Sequence, residues 1–497
     1  MSDGGALGGT ADLSRLFAAV GAEAPAMRVR GLAMHSDRVV PRGLFLACAG
    51  ARHGLEFLPQ ALRRGAVAVA WEPADGVSEP ALPDGVAGFS VPSLRRKVGL
   101  IADAYYREPS ASLAVTCITG TNGKTTVAWL AAHAMNFLGR PAAAMGTLGW
   151  GPPPKLWPSA MTTPDPDELH RRLRVLADNG VEHVFLEVSS QALDQDRISG
   201  LRIELAAFTK LGRDHLDYHG DSVAYGGAKR RLFVEHRPEA AVINVDDPFG
   251  SDLAENFSGA VLRVACEGVN PAELSLRRVR PNADGLRLEL AEGATRFRVA
   301  SRLYGCFNGA NLALACGLLR ALGIDKGDAA KALSNCPAPP GRMQHFGGGA
   351  LPDAFVDYAH TPDALGAVLG ELRARKPHRL WCVMGCGGER DAGKRAEMGR
   401  VAGALANELF ITSDNPRGEN PREIAEQILA GASGRAVLEL DRSRAIRAAL
   451  HAARPGDIVL VAGKGHEAFQ ISGGRVLPFS DASVVREALA SYPGAAR

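Results

Sequence analysis

Cysteine is present but never paired in a binding spacing. Eight cysteines stand at 48, 117, 266, 306, 316, 336, 382 and 386, and none forms Cys-x-x-Cys. Cys382 and Cys386, the one near pair, lie in an apolar run, so reduced and mostly buried thiols are expected, not disulfides or a zinc cluster. An excess of charge is missing as well. With 57 Lys and Arg against 54 Asp and Glu the net charge is +3, and the basic runs RRLRV and KRRLF are short enough to be solvated helix faces. No nucleic-acid or anionic-membrane partner is expected from such a balance. No apolar stretch approaches the ~20 residues of a membrane span. The opening MSDGGALGGTADLSRL has neither a basic n-region nor an apolar h-region, which points to a cytoplasmic protein. Internal repeats and low-complexity tracts are absent.

What is there fits a soluble globular chain: 497 residues, 46% hydrophobic and 22% charged, a length that favours about three domains. Residues 1–108 carry short apolar runs (GLFLACAG, GAVAVAWE) around a helical pattern, and read as a small α/β domain that ends at YYREPSAS. Residues 109–338 alternate apolar strands (LAVTCI, HVFLEVS, LAAFTKL, AAVINVD) with helices, the pattern of a parallel sheet covered by helices. Near 259–300 the texture becomes that of an antiparallel patch (LRLEL, TRFRVA), and the Pro-rich NCPAPPGR closes the segment. Residues 339–497 alternate again as AFVDYA, RLWCVMG, ELFIT, AVLEL and DIVLVAG with helices between them, a doubly wound, Rossmann-like arrangement. Its strands are followed by DYAH, GCGGERD, SDNPR and GKGHE, which should converge on one edge of the sheet.

CITGTNGKTTVAWL, Cys117 to Leu130, has the strand, glycine-rich loop and helix order of a nucleotide site. Gly120, Thr121, Asn122, Gly123, Lys124, Thr125 and Thr126 would form a phosphate loop for ATP. Backbone NH groups would cradle phosphate, Lys124 would reach the β and γ phosphates, and Thr125 would ligand Mg²⁺. Ile118 stands where a full P-loop has its first glycine; the bland alternative is a turn with a solvated lysine. Glu187, ending HVFLEV, and His215, in GRDHLDYHGD, would flank this loop and complete a Mg²⁺ shell. His215 and His219 around Asp217 could instead belong to a zinc site, or be hydrogen-bonded loop histidines. Near the C-terminus, SDNPR gathers Asp414, Asn415, Pro416 and Arg417 after a buried strand. Either it is a turn for local reasons, or it presents a pocket for a small molecule with both an amine and a carboxylate.

Taken in order, GTNGKTT, EVSSQALDQDR, RDHLDYHGD, GRMQ, DYAHTPDAL, GCGGERDAGKRAEMG, SDNPRGENP and GKGHE resemble the Mur ligases of peptidoglycan synthesis over roughly residues 30–485. The resemblance implies three domains: one for a UDP substrate, a central ATPase domain and a C-terminal domain for the incoming amino acid. It implies an ATP-dependent amide ligase, expected to be a monomer, that joins meso-diaminopimelate to UDP-N-acetylmuramoyl-L-alanyl-D-glutamate. Thr162, Thr163, Ser189, Gln195 and Arg197 match positions that contact the muramoyl dipeptide, and Ser36, with Ala51, Arg52 and His53, falls where uridine diphosphate is held. The family pattern Asp-Ser-Arg stands here as HSDR, Met161 replaces an asparagine, and TKLGRDH departs from TNLSRDH. Lys229 matches a lysine that the family carbamylates to supply an anionic Mg²⁺ ligand; by its sequence alone it would be a surface lysine. By analogy Asn308 and Asn311 contact adenine, and Arg342, Asp357 and His360 reach ATP. DNPR implies diaminopimelate: Arg417 would fork a carboxylate, Asp414 and Asn415 would meet an ammonium or orient the arginine, and Arg390, Gly463 and Glu467 would complete the pocket. A lysine-adding ligase, a folate polyglutamate ligase and a P-loop regulatory ATPase are the rival readings.

Overall fold

The computed structural model describes residues 9–282 and 284–493. By internal contacts it divides into two compact units, one of residues 1–277 with 289–297 and 310–333, the other of 278–288, 298–309 and 334–497.

In the first unit an N-terminal four-stranded sheet orders Leu32–Ala33, Gly43–Ala47, Ala66–Trp71 and Ala87–Ser90, all parallel. Its inner strands read as unbroken apolar runs because both faces are covered. Leu44, Leu46, Ala68 and Ala70 pack on one side with the helix Leu94–Tyr105, and Phe45, Ala47, Val69 and Trp71 on the other with the helix Leu58–Arg63.

The larger sheet of this unit runs in the order Ala260–Ala265, Ala240–Asn244, Leu205–Phe208, Ala114–Thr119, His183–Glu187, Ala142–Gly146 and Gly149–Gly151, with only the last strand antiparallel. Beyond Ala260–Ala265 the chain pairs in parallel once more, Leu274 and Ser275 lying opposite Val264 and Ala265. The Ala114–Thr119 strand is the first strand of this sheet, yet it lies inside it, between two strands that come much later in the chain. Strand order therefore reverses there, and the loop leaving its C-terminal end enters the crevice where ligands of open α/β sheets bind.

The second unit holds a six-stranded sheet in the order Gln344–Gly347, Asp353–Asp357, Ile458–Ala462, Leu380–Met384, Glu408–Ile411 and Ala436–Leu438; only the first is antiparallel. One face packs under Pro362–Ala374, Lys394–Leu405 and Pro421–Gly431, the other under Arg442–Ala452 and Asp481–Ala490. Helix starts follow the sequence closely. Thr361 and Asn420 cap helices that begin Pro362 and Pro421, their side chains accepting from the Ala364 and Arg422 amides, and proline at the first position loses no helical hydrogen bond. The strands expected at AFVDYA, RLWCVMG, ELFIT, AVLEL and DIVLVAG all form. The edge strand Gln344–Gly347 and the hairpin Phe469–Ser472 with Arg475–Pro478 had no strong alternation to announce them.

All eight thiols are free, seven of them buried and Cys306 partly so. Among the described residues no helix is long and apolar enough to cross a membrane.

Candidate active site

In the first unit the Gly120–Gly123 loop leaves the central strand and the helix Lys124–Phe137 follows it. The backbone of the next strand's exit stitches the loop down: the Thr121 amide donates to the Lys210 carbonyl at 2.7 Å, and Thr209 Oγ1 donates to the Asn122 carbonyl at 2.6 Å. Glycine is required at two places. Gly120 sits at φ +141°, and a Cβ there would fall 1.9 Å from Thr209 Oγ1; Gly123 sits at φ +92°, with Asn311 Oδ1 2.3 Å from where its Cβ would be. The loop is thus a tight backbone cradle at the N-terminus of a long helix, the geometry that favours a phosphate group.

Lys124 is not a solvated side chain: its Nζ donates to the Gly120 and Thr121 carbonyls at 2.9 and 3.1 Å. Lys229 is not a surface lysine either. It is 1% exposed, stands 4.4 Å over the Tyr225 ring, and donates to the same Gly120 carbonyl at 3.0 Å. Burial, with the Lys124 charge adding to it, holds the Lys229 ammonium well below the ordinary lysine range, against a smaller opposing pull from Asp214. A neutral amine, unlike an ammonium, can add to CO₂ to give a carbamate.

On the neighbouring strand Glu187 is 3% exposed. Its Oε2 accepts from Thr125 Oγ1 at 2.7 Å and from Thr147 Oγ1 at 3.2 Å, while Oε1 accepts from the Thr147 amide at 2.9 Å. Thr147 Oγ1 lies 3.0 Å from Thr162 Oγ1. Thr163 Oγ1 donates to the Glu187 carbonyl at 2.9 Å and accepts from the Ser189 amide, and Ser189 caps the helix Ser190–Asp194. Arg197 donates to Gln195 Oε1 at 2.6 and 3.0 Å and to the Thr163 carbonyl at 2.9 Å. The expected dipeptide residues therefore form one connected patch running from the phosphate loop. His215, at φ +52°, lies 3.4 Å from Gln191 Nε2 and 3.6 Å from Asp214; His219 is hydrogen-bonded to Ser190 Oγ at 2.9 Å, as the bland reading had it, but from the end of the short helix Leu216–His219 and not from a loop. Among the described residues no three His, Cys, Asp or Glu side chains are grouped to hold a metal, which leaves the zinc alternative without a ligand set. Lys210, a departure from the family pattern, serves the loop through its backbone carbonyl, and its side chain is exposed. Ser36 donates to Gln60 Oε1 at 2.8 Å; His53 caps the turn Gly54–Phe57, and Arg52 pairs with Glu56.

In the second unit the loops after the parallel strands do meet. Gly385 closes on the Thr412 carbonyl, Gly388 on the Pro416 carbonyl, and a Cβ on Gly463 would lie 2.7 Å from Asp414 Oδ2. Asn415 is held by its own protein: Nδ2 donates to Glu467 Oε2 at 2.8 Å, and Oδ1 accepts from Lys464 Nζ and the Ile471 amide, both at 3.0 Å. Lys464, missed from the sequence, is fully buried and donates to Glu467 Oε2 at 2.7 Å; the signal was a GK following a buried strand. Arg417, at φ +52°, donates to the Gly388 carbonyl at 2.7 Å, and its own amide donates to Ile471 of the hairpin. Arg390 is exposed beside Gly387. Burial raises the Asp414 pKa, while the Arg442 and Lys464 cations oppose that rise. Arg342 stacks 4.5 Å over Tyr358, Asp357 accepts from the Met343 and Ala359 amides, and His360 is exposed. Asn308 is buried, its amide donating to the Tyr304 carbonyl.

A family model described as the Mur ligase middle domain matches residues 118–319, and one described as the Mur ligase glutamate ligase domain matches residues 341–465. The UDP-N-acetylmuramoyl-L-alanyl-D-glutamate–2,6-diaminopimelate ligase of Xylella fastidiosa (strain 9a5c) is 44% identical over 471 residues, covering 93% of this chain and 94% of the relative. A solved structure of a ligase of the same name is 34% identical, with a TM-score of 0.69 over 97% of this chain and 99% of that one. MurF ligase from Thermotoga maritima in complex with ADP shares the fold, with a TM-score of 0.62 at 21% identity over 93% of this chain and 97% of that one. Identity at that level over nearly the full length of both chains leaves one conclusion: this chain belongs to the Mur ligase family.

Proposed function

We propose that the protein is an ATP-dependent amide ligase that adds meso-2,6-diaminopimelate to the D-glutamyl γ-carboxylate of UDP-N-acetylmuramoyl-L-alanyl-D-glutamate in peptidoglycan precursor synthesis. It works as a monomer in the cytoplasm, with residues 1–108 holding the UDP end, 109–338 the ATP, and 339–497 the amino acid. The observation that carries this reading is the pair of lysine side chains, Lys124 and Lys229, converging on the Gly120 carbonyl at the mouth of a backbone cradle, beside the Thr125–Glu187 contact. A cradle of backbone NH groups at a helix N-terminus with a lysine at its mouth favours a phosphate group. The near-full-length relative named for this reaction supports the same choice of substrates.

The donor set suits Mg²⁺: the oxygens of a hydroxyl, a carboxylate and a carbamate on Lys229 are hard ligands for a small divalent cation, and an imidazole nitrogen is a softer fourth donor. Thr125, Glu187, His215 and the Lys229 carbamate would hold it, and it would neutralise charge on the phosphate oxygens. Loop NH groups and Lys124 hold the γ-phosphate in line with the D-glutamyl carboxylate. One carboxylate oxygen attacks phosphorus, the bond to the β–γ bridging oxygen breaks, and ADP leaves. Arg197, anchored on Gln195 and Thr163, orients the muramoyl dipeptide, which Ser36 and its neighbours grip at the uridine end. The acyl phosphate is then attacked by an amine of diaminopimelate; the tetrahedral intermediate expels phosphate, and the ammonium proton passes to solvent. Arg390 and Arg417 take the amino acid's carboxylates, while Asp414 and Glu467 face its ammonium groups. Positioning and charge neutralisation supply the catalysis.

The test is phosphate release by the purified protein with Mg-ATP and UDP-muramoyl-dipeptide, given meso-diaminopimelate, L-lysine or no amino acid. Release with tripeptide formation only on diaminopimelate is expected, and Arg417→Lys should raise KM for diaminopimelate by roughly 10- to 100-fold, because an ammonium cannot make the two-pronged contact. Equal use of lysine would overturn the selectivity account, and release indifferent to every amino acid would overturn the ligase.

A further inference from the structure

HSDR, the segment that departs from the family pattern Asp-Ser-Arg, meets a carboxylate far along the chain. The His35 Nε2–H donates to Asp165 Oδ2 at 2.8 Å, and the Met34 amide donates to Asp167 Oδ2 at 3.0 Å. Asp165 is buried at the start of the helix Pro166–Asp178, where the helix dipole favours a negative charge, and its side chain makes no cap bond to that helix. Its other oxygen, Oδ1, faces Arg197 Nε at 3.6 Å, too long for a hydrogen bond. One buried carboxylate therefore stands between two cations. His35 takes one oxygen, and Arg197 stays on Gln195 and the Thr163 carbonyl.

We propose that His35 is a positioning residue for the UDP-muramoyl-dipeptide: as imidazolium it neutralises Asp165 and so leaves the Arg197 guanidinium on its Gln195–Thr163 seat, facing substrate. Without the imidazolium charge, Arg197 is the strongest cation left to Asp165, with Arg38 acting more weakly. The 3.6 Å gap then closes to an ion pair, and the guanidinium is drawn off its seat. His35 is also the residue before Ser36, so the two ends of one substrate would be tied through it. The inference rests on the reading of Ser36, Thr162, Thr163, Ser189, Gln195 and Arg197 as that substrate's site.

The charged groups facing His35 are Asp165 and Asp167 from the helix start and Arg38 from its own turn. Asp165, through its hydrogen bond, raises the imidazole pKa above its ordinary 6.5, while partial burial opposes the rise. The imidazolium is therefore populated at and somewhat above pH 6.5 and lost as pH climbs through the raised value. Half of the His35 side chain is exposed, so replacing it should leave the fold intact.

The test is the affinity of the full chain for UDP-N-acetylmuramoyl-L-alanyl-D-glutamate by isothermal titration calorimetry between pH 6.5 and 9, with wild type, His35→Gln and His35→Lys. Wild type should weaken by roughly fivefold or more across the range. His35→Gln, a donor without charge, should bind weakly at every pH, and His35→Lys, charged throughout, should bind tightly at every pH. Wild-type affinity that ignores pH, or a glutamine variant that repeats the wild-type profile, would overturn the inference alone. No binding by any of the three at any pH would overturn the substrate reading and the inference with it.

Discussion

Lys229 shows how one residue changes meaning between sequence and structure. Its place among KRRLF argued for solvent, yet the helix Ser222–Val234 turns it inward to the Gly120 carbonyl. Burial depresses its pKa, so the folded chain holds a larger share of neutral amine than the unfolded one at the same pH. With ¹³C-labelled bicarbonate, wild type should therefore give a carbamate carbonyl signal in ¹³C NMR and Lys229→Gln should not, with kcat falling by roughly 100-fold or more if the carbamate is a Mg²⁺ ligand. A signal that survives the substitution would remove Lys229 from that role. Asp414 carries the opposite sign. Burial raises its folded pKa above the ordinary 3.8, so its contribution favours folding below that value and is lost as pH rises through the folded value. Above the folded value the ionised group is a cost that a ligand's ammonium would offset. Asp414→Asn is expected to leave thermal stability at pH 7 equal or a few degrees higher while KM for diaminopimelate rises; a fall in Tm at pH 7 with KM unchanged would make Asp414 purely structural. Residue types and spacings announced both groups, but not their burial, because burial depends on what packs opposite.

Among elements, the phosphate loop was the most legible: strand, glycines, lysine and helix occur in one contiguous stretch, although the residues that crowd its glycines, Thr209 and Asn311, come from far along the chain. Gly123→Ala should destabilise the fold by about 1–3 kcal/mol, since alanine would be held at φ +92° against Asn311, and should raise KM for ATP more than KM for the amino acid. Unchanged ATP kinetics in a folded variant would separate the loop from nucleotide binding. The strands of the second unit were equally plain, because parallel strands buried on both faces cannot alternate polar and apolar. Its hairpin Phe469–Ser472 with Arg475–Pro478 was not, for it is largely exposed and holds its place through Arg417 and Asn415. The buried pair Arg442–Asp481, at 2.7 and 2.8 Å between two helices, left no trace in the pattern; Asp481→Ala should cost about 3–5 kcal/mol in chemical denaturation by leaving a guanidinium buried without its partner. A loss below 1 kcal/mol would mean that solvent reaches Arg442.

For the whole molecule, each unit should answer to its own ligand. By hydrogen exchange, ADP is expected to protect residues 118–130 and 205–212, and diaminopimelate residues 385–390, 412–418 and 463–472. Saturation at 100 times Kd corresponds to about 2.7 kcal/mol of added stability. Protection by ADP confined to the second set would reverse the assignment of the two sites. The sequence by itself determined the α/β class, the parallel strands of the second unit with the loops that follow them, and the phosphate loop. Those features are local or periodic, and short stretches of sequence announce them. Only the tertiary structure decided that two lysines share one carbonyl, that Lys464 meets Asn415, and that His35 meets Asp165. Each of those contacts joins residues from different elements, and their charge states follow from desolvation, which is a property of the packed chain.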